Sequence, residues 1–312
     1  MKIFVTGGCG YVGSVLVKEL LSHNYVVTVL DTQWFGNFLD ENPNLTIIKD
    51  DIRNIKNISL KGTDVIIHLA NIANDPSVDL NPTLSWEVNV LASYQLADHA
   101  VSEGVQQIIY ASSGSVYGIK KEENVTEELS LVPISVYNKT KMISERVLLS
   151  FKDKIKIHNI RPATVCGYSP RMRLDVSVNM LTFQALKNKV ITVFGGNQIR
   201  PNIHIDDLVR VYLHFLENRS LPQGNYNAGF ENISIKNLAI KISNKTLSKI
   251  EITESNDIRS YRQNSDKLQA TGFKTLYQID DAIDDICNKF KLGIIKDRPE
   301  WHTVKWMKSL KI

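Results

Sequence analysis

Little in this chain would staple it, tether it or carry it through a membrane. Its 312 residues hold three cysteines, Cys9, Cys166 and Cys287. They are odd in number, far apart and without a C-x-x-C spacing, which excludes a disulfide framework or a zinc ribbon and points to a reducing compartment. No metal site is expected. No apolar run approaches the roughly 18 residues of a membrane span. Gly7, Gly8 and Gly10 interrupt the opening Ile3-Phe4-Val5 before a signal-peptide core can form. The expectation is a cytoplasmic protein that partners no membrane. Basic residues exceed acidic ones by 37 to 33, but they are scattered, without the clustered stripe that nucleic acid needs. There is no internal repeat, low-complexity tract or Gly/Ser linker, so the length implies one large domain interleaved with a smaller one.

The N-terminal half alternates short β-branched runs with amphipathic stretches. Lys2 to Thr6, Val26 to Leu30, Thr46 to Lys49, Val65 to Leu69, Ile108 to Ala111 and Ile155 to Ile160 read as strands. Val12 to Ser22, Asn89 to Glu103 and Val136 to Leu149 carry apolar residues at i, i+3, i+4 spacing and read as helices. Such alternation predicts an α/β fold, a doubly wound parallel sheet of the Rossmann type. After Arg161-Pro162 the pattern loosens into turn-rich sequence, broken by Gly195-Gly196 and Pro201, before an apolar helix from Ile205 to Leu216. We therefore expect residues 1–165, with 204–228 returning to them, to form a dinucleotide-binding domain. Residues 166–203 and 229–312 would form a smaller α/β substrate domain. The tail from Leu292 to Ile312, with Trp301 and Trp306, either packs back on the body or meets a partner.

Directly after the first strand comes Thr6-Gly7-Gly8-Cys9-Gly10-Tyr11-Val12-Gly13, which satisfies G-x-G-x-x-G. Glycine opens the turn, lets a diphosphate approach the backbone without meeting a Cβ, and lets the helix lie close on the strand. The helix start at Gly10, Tyr11 and Val12 offers free N–H groups to an anion. Alone the motif is no more than a tight strand-to-helix turn. Its context is Asp31, with Thr32, at the end of the second strand, where a carboxylate grips ribose hydroxyls and repels a 2′-phosphate, so the cofactor predicted is NAD rather than NADP. Asp51-Ile52 follows the third strand and is placed to meet the adenine. Cys9, inside the turn, reads as a small buried residue rather than a redox switch.

Tyr137 and Lys141 stand four residues apart, on one face of the predicted helix. A phenol is a poor base at neutral pH, but a neighbouring ammonium and a positive nicotinamide both favour its phenolate. In isolation Y-x-x-x-K describes many exposed helix faces. Tyr110 to Gly118 supplies the support: an apolar strand ending in Ser112, Ser113 and Ser115 at the carboxyl edge, where such sheets bind ligands.

With these residues in this order the chain resembles the extended short-chain dehydrogenase/reductase family, the group of nucleotide-sugar epimerases and dehydratases. The resemblance spans nearly the whole chain, through His68-Leu69-Ala70, Asn89-Val90 and His204-Ile205-Asp206-Asp207-Leu208. It implies that Tyr137 is the acid/base, that Lys141 holds the nicotinamide ribose and tunes Tyr137, and that Ser113 bonds the reacting oxygen. Leu69, Ala70, Asn71, Asn89, Ser112 and Pro162 would belong to the cofactor site. On the nucleotide-sugar side it implies Thr164, Arg171, Asn179, Val193, Arg200 and Arg259, the guanidiniums matching phosphate oxygens in geometry. Arg171 reads equally as a structural salt-bridge residue.

The resemblance also separates reactions. The 4,6-dehydratases carry Asp-Glu after the catalytic hydroxyl, where this chain has Gly114-Ser115, so an epimerase working by transient C4 oxidation is expected. The stretch Ala163 to Asp175 departs from the commoner family wording, with Thr164 in place of an Asn, and is similar to a subgroup that includes GDP-heptose C4 dehydrogenases. Net C4 oxidation therefore stays open beside epimerisation, with dehydration and a non-catalytic NAD-binding role behind them. The family resemblance further implies a homodimer joined through the helices Asn89 to Glu103 and Val136 to Leu149.

Overall fold

The computed structural model describes residues 1–255 and 260–312. The β-branched runs fold into β1 (Lys2–Thr6), β2 (Val26–Asp31), β3 (Leu45–Lys49), β4 (Val65–His68), β5 (Gln107–Ala111) and β6 (Lys156–Pro162). Further along come β7 (Thr164–Cys166), β8 (Val190–Phe194), β9 (Ile199–His204), β10 (Gly224–Ala228), β11 (Glu231–Ser234) and β12 (Lys249–Thr253). Seven strands pair in the order β10-β6-β5-β4-β1-β2-β3, every pairing parallel. This is the doubly wound Rossmann sheet, and its order reverses between β1 and β4, where ligands of such sheets bind. The chain re-enters this sheet at β10, after the helix Ile205–Glu217. The remaining strands form two small sheets, β11-β9-β7 and β12-β8.

Strand alternation divides the core. Ile3 and Val5 face the helices Tyr11–Ser22 and Ile205–Glu217, while Phe4 faces the opposite layer with Leu96, Ala100 and Leu148. Both layers are closed to water, as a parallel sheet requires. The expected helix from Asn89 starts earlier, through a π-turn at Glu87–Leu91 that runs into Ala92–Ser102. The turn-rich reading after Pro162 missed the helix Ser177–Asn188, which buries Val178, Asn179, Leu181, Thr182, Phe183 and Ala185. A helix buried on several faces, two of those residues polar, has no apolar stripe to read. The tail packs back on the body. Trp306 Nε1 donates to the Trp34 carbonyl at 2.6 Å and Met307 joins the cluster of Phe4 and Leu30, so the last helix sits against the central sheet and the loop after β2.

One buried polar seam fixes the helix Val136–Leu149. Glu145, one turn beyond Lys141, accepts from Arg161 Nε at 2.9 Å and Nη2 at 2.7 Å, with both side chains 2% exposed. The same carboxylate accepts from the Ser112 hydroxyl at the end of β5. Arg161 also donates to the Tyr117 hydroxyl at 2.7 Å. Removing one member strands the other in the dry interior. Arg161→Met is expected to lower stability by about 3–5 kcal/mol, read from the urea unfolding midpoint; a loss below about 1 kcal/mol, the scale of an exposed pair, would show that the seam does not anchor this helix.

Candidate active site

The loops after β1 and β4 meet at the switch point. Gly7 has φ +74°, and a Cβ on it would lie 2.7 Å from the Ala70 amide nitrogen. A Cβ on Gly13 would lie 2.3 Å from the Gly7 carbonyl oxygen, so the helix can seat on the turn only with glycine there. Asp31 closes β2 beside this turn, accepting from Cys9 N at 2.9 Å and Gln33 N at 2.7 Å. Burial pushes its pKa above the ordinary carboxylate value, against the two amide bonds and the charge of Arg171. Burial likewise drives the Cys9 thiol up to about 12, which removes its reactivity.

From the turn a cavity of about 550 Å³ runs along the carboxyl ends of the strands. Gly7, Gly10, Tyr11, Val12 and Gly13 line one end with Asp31, Thr32, Asp51 and Ile52. Leu69, Ala70 and Asn71 line its middle, and Ser112, Ser113, Tyr137, Lys141 and Pro162 line the far side, with Thr164 and Arg200 beyond them. Asn71 gives its amide to the Leu69 carbonyl at 2.9 Å and leaves its buried Oδ1 without a partner. A groove floored by a glycine-rich turn, edged by a carboxylate and holding an unspent carbonyl oxygen fits a dinucleotide.

Of the reactive groups Lys141 is buried, while Tyr137 and Ser113 are half-buried at the cavity wall. Lys141 is 1% exposed, donates to the Ala111 carbonyl at 2.6 Å and stands 4.8 Å from the Tyr110 ring centre. Burial pulls its pKa down to about 7, partly opposed by Glu145. Burial pushes the Tyr137 phenol up to about 12, while its hydrogen bond with Ser113 and the charge of Arg173 act to lower it. Ser113 caps the short 3₁₀ turn Gly114–Tyr117, bonding Ser115 N at 3.2 Å and Ser115 Oγ at 2.8 Å. A Cβ on Gly114 would lie 2.8 Å from Gln263 Oε1. Gln263 cannot easily give way, because its Nε2 donates to the Arg161 carbonyl at 2.6 Å.

Three expected site residues lie elsewhere. Asn89 is buried under the loop after β4, accepting from Ile72 N at 2.8 Å and donating to Thr140 at 3.1 Å, so it shapes that loop without reaching the cavity. Asn179 spends its carboxamide on Gly167 N, the Tyr11 hydroxyl and the Arg173 carbonyl. Val193, 1% exposed, packs among Ile191, Leu238 and Ala239 in the small second core. The sequence marks their polarity and position but not which way they face. Arg259 lies outside the described residues. Phe35, Asp175, Thr303 and Met307 also line the cavity and were not foreseen. No spacing could bring Thr303 to this cavity; only the tail's packing does.

A model of the NAD dependent epimerase/dehydratase family matches residues 3–229. The chain belongs to that family. Its cofactor is NAD. Over 225 residues it is 33% identical to the uncharacterized UDP-glucose epimerase YtcB of Bacillus subtilis, covering 67% of this chain and 71% of the relative. Among solved structures, a UDP-glucuronic acid 4-epimerase from Bacillus cereus, in complex with UDP-glucuronic acid and NAD, aligns with a TM-score of 0.83 at 26% identity, over 94% of this chain and 100% of that one. A dTDP-glucose 4,6-dehydratase double mutant from Streptomyces venezuelae shares the fold at a TM-score of 0.84 and 21% identity, over 98% and 100% of the two chains. Epimerases and dehydratases of this family thus share one architecture, so the reaction has to be read from side chains.

The depressed Lys141 pKa has a consequence for stability. Between about 7 and its ordinary 10.5 the unfolded chain binds a proton that the fold does not, so stability rises with pH across that window and the penalty is complete below it. Lys141→Met in cofactor-free protein is therefore expected to raise Tm most near pH 6, with the gain shrinking toward pH 10. A gain that does not change with pH in thermal melts would contradict the shift.

Proposed function

We propose that this chain is a nucleotide-sugar epimerase that oxidises C4 of the sugar transiently and re-reduces it within the same site. NAD supplies the acceptor for the hydride and then its donor. Residues 1–165 with 204–228 hold the cofactor, and the segments 166–203 and 229–312 supply most of the sugar side. Tyr137 takes the proton of the C4 hydroxyl as the carbon is oxidised and returns it on reduction. Ser113, which lines the cavity with Tyr137, holds the reacting oxygen, and the Lys141 charge favours the phenolate. Exclusion of water around these groups strengthens each interaction. Thr164 and Arg200, further along the cavity, are placed for the sugar and its diphosphate.

The observation that carries the choice of reaction is Gly114. A dehydratase of this family needs an acid beside its catalytic hydroxyl, and at this position even a Cβ meets the fixed amide of Gln263. Ser115, next along, is engaged with Ser113 and offers no carboxyl. A second reading, net C4 oxidation with release of the keto-sugar, uses the same residues. Its support is Thr164 and the divergent stretch that follows it.

Purified enzyme given UDP-glucose or GDP-linked sugars without added oxidant is expected to return the C4 epimer, scored by product chromatography. Accumulation of NADH and a requirement for an external oxidant would replace this reading with the dehydrogenase one. Tyr137→Phe is expected to lower kcat by about 10²–10⁴; unchanged turnover would remove Tyr137 from the chemistry. The same reading includes a homodimer through the helices Ala92–Ser102 and Val136–Leu149, supported by Leu91 and Tyr94, which remain 52% and 46% exposed beside them. Light scattering of a Leu91→Asp, Tyr94→Asp variant is expected to show monomer where the parent shows dimer.

A further inference from the structure

Arg171 is a buried cation that no carboxylate among the described residues engages directly. It lines the cavity, is 3% exposed, and makes no ion pair among the described residues. Asp175, the carboxylate nearest in sequence, gives itself to Arg173 at 2.8 Å. Arg171 Nη2 reaches the Thr303 hydroxyl at 3.4 Å, Nε has no partner, and the guanidinium lies 4.0 Å from the Phe35 ring centre. A guanidinium taken out of water without an anion is costly, and a site that keeps one in place keeps room for the anion.

Its surroundings locate that anion. Phe35 follows Asp31 in the loop from β2, and the charges felt by Arg171 come from Arg173, Asp175, Asp31 and Tyr11. Phe35, over whose ring the guanidinium lies, comes four residues after the carboxylate that would hold a ribose, and both line the same cavity as the glycine turn. Burial, reinforced by Arg173, pulls its pKa down to about 9, as expected of a cation short of its partner.

We infer that Arg171 is a cofactor residue: its guanidinium takes the diphosphate of NAD from the side facing the glycine turn, held in place by Thr303 and Phe35. This moves Arg171 from the sugar end, where the sequence pattern put it, to the adenosine end. It also makes the helix Thr303–Leu310 part of the cofactor site, since Trp306 ties that helix to Trp34 and Met307 lines the cavity. The inference rests on NAD as cofactor and not on which sugar reaction follows.

The test compares three probes on the full chain: NAD⁺ and ADP titrated into cofactor-free protein, and UDP titrated into protein saturated with NAD⁺. For Arg171→Met, NAD⁺ and ADP are expected to lose about ten-fold or more in affinity, with UDP held within about two-fold. The Tm of the cofactor-free variant should not fall, because an unpaired buried charge has been removed. Unchanged NAD⁺ and ADP binding overturns the inference. So does an equal or greater loss for UDP, which would give Arg171 to the substrate's diphosphate. Should Arg171→Met fail to fold, Arg171→Lys keeps the charge, loses the two-pronged donor and carries the same comparison. Because no sugar turnover is measured, failure of this assignment is distinguishable from failure of the epimerase reading.

Discussion

Glu145 and Arg161 are withdrawn from water together, and the seam they form lets a helix, two strand ends and a loop share one dry polar junction. Each carboxylate oxygen has a named donor, and the guanidinium divides itself between Glu145 and Tyr117. The Tyr117 hydroxyl in turn donates to Asn227 at 2.7 Å, and Asn227 binds the carbonyls of Val125 and Asn264. Tyr137 and Lys141 ride on the helix that Glu145 anchors, so their reach into the cavity is set from beneath by groups that never touch a ligand. The pair is specific because it is buried. An unmatched member would cost more than the matched pair contributes.

The cavity has two electrostatic characters along its length. At one end Asp31 is braced by two amides, and Arg171 lines the same cavity without a carboxylate partner among the described residues. At the other the Lys141 ammonium is depressed and the Tyr137 phenol is raised, each by burial. Burial thus disfavours the charged form of each. A nucleotide that brings negative charge to one end and a positive ring to the other suits both.

Much of this was legible in the sequence because it is local. The glycine turn, Asp31 six residues into a strand pattern, and the Tyr/Lys pair on one helix face are set by spacings under a few turns of chain, and the alternation of β-branched and amphipathic runs gives the sheet. What escaped was non-local. Asn89, Asn179 and Val193 have the right residue type for a site, yet their direction is decided by which neighbour claims their amide or methyl groups. Thr303 and Phe35 gain their place only when the tail folds back across some three hundred residues. The helix Ser177–Asn188 was missed because it is enclosed on several faces and shows no stripe.

The contact between Gly114 and Gln263 bears on how reactions diverge on this scaffold. An acid cannot be placed at position 114 without displacing Gln263, whose amide is pinned from β6 and belongs to a segment remote in sequence. An acid at position 114 would therefore come with a change at Gln263, at some cost to the hydrogen bond that Gln263 gives Arg161. The gate on such a change lies outside the motif that names the family.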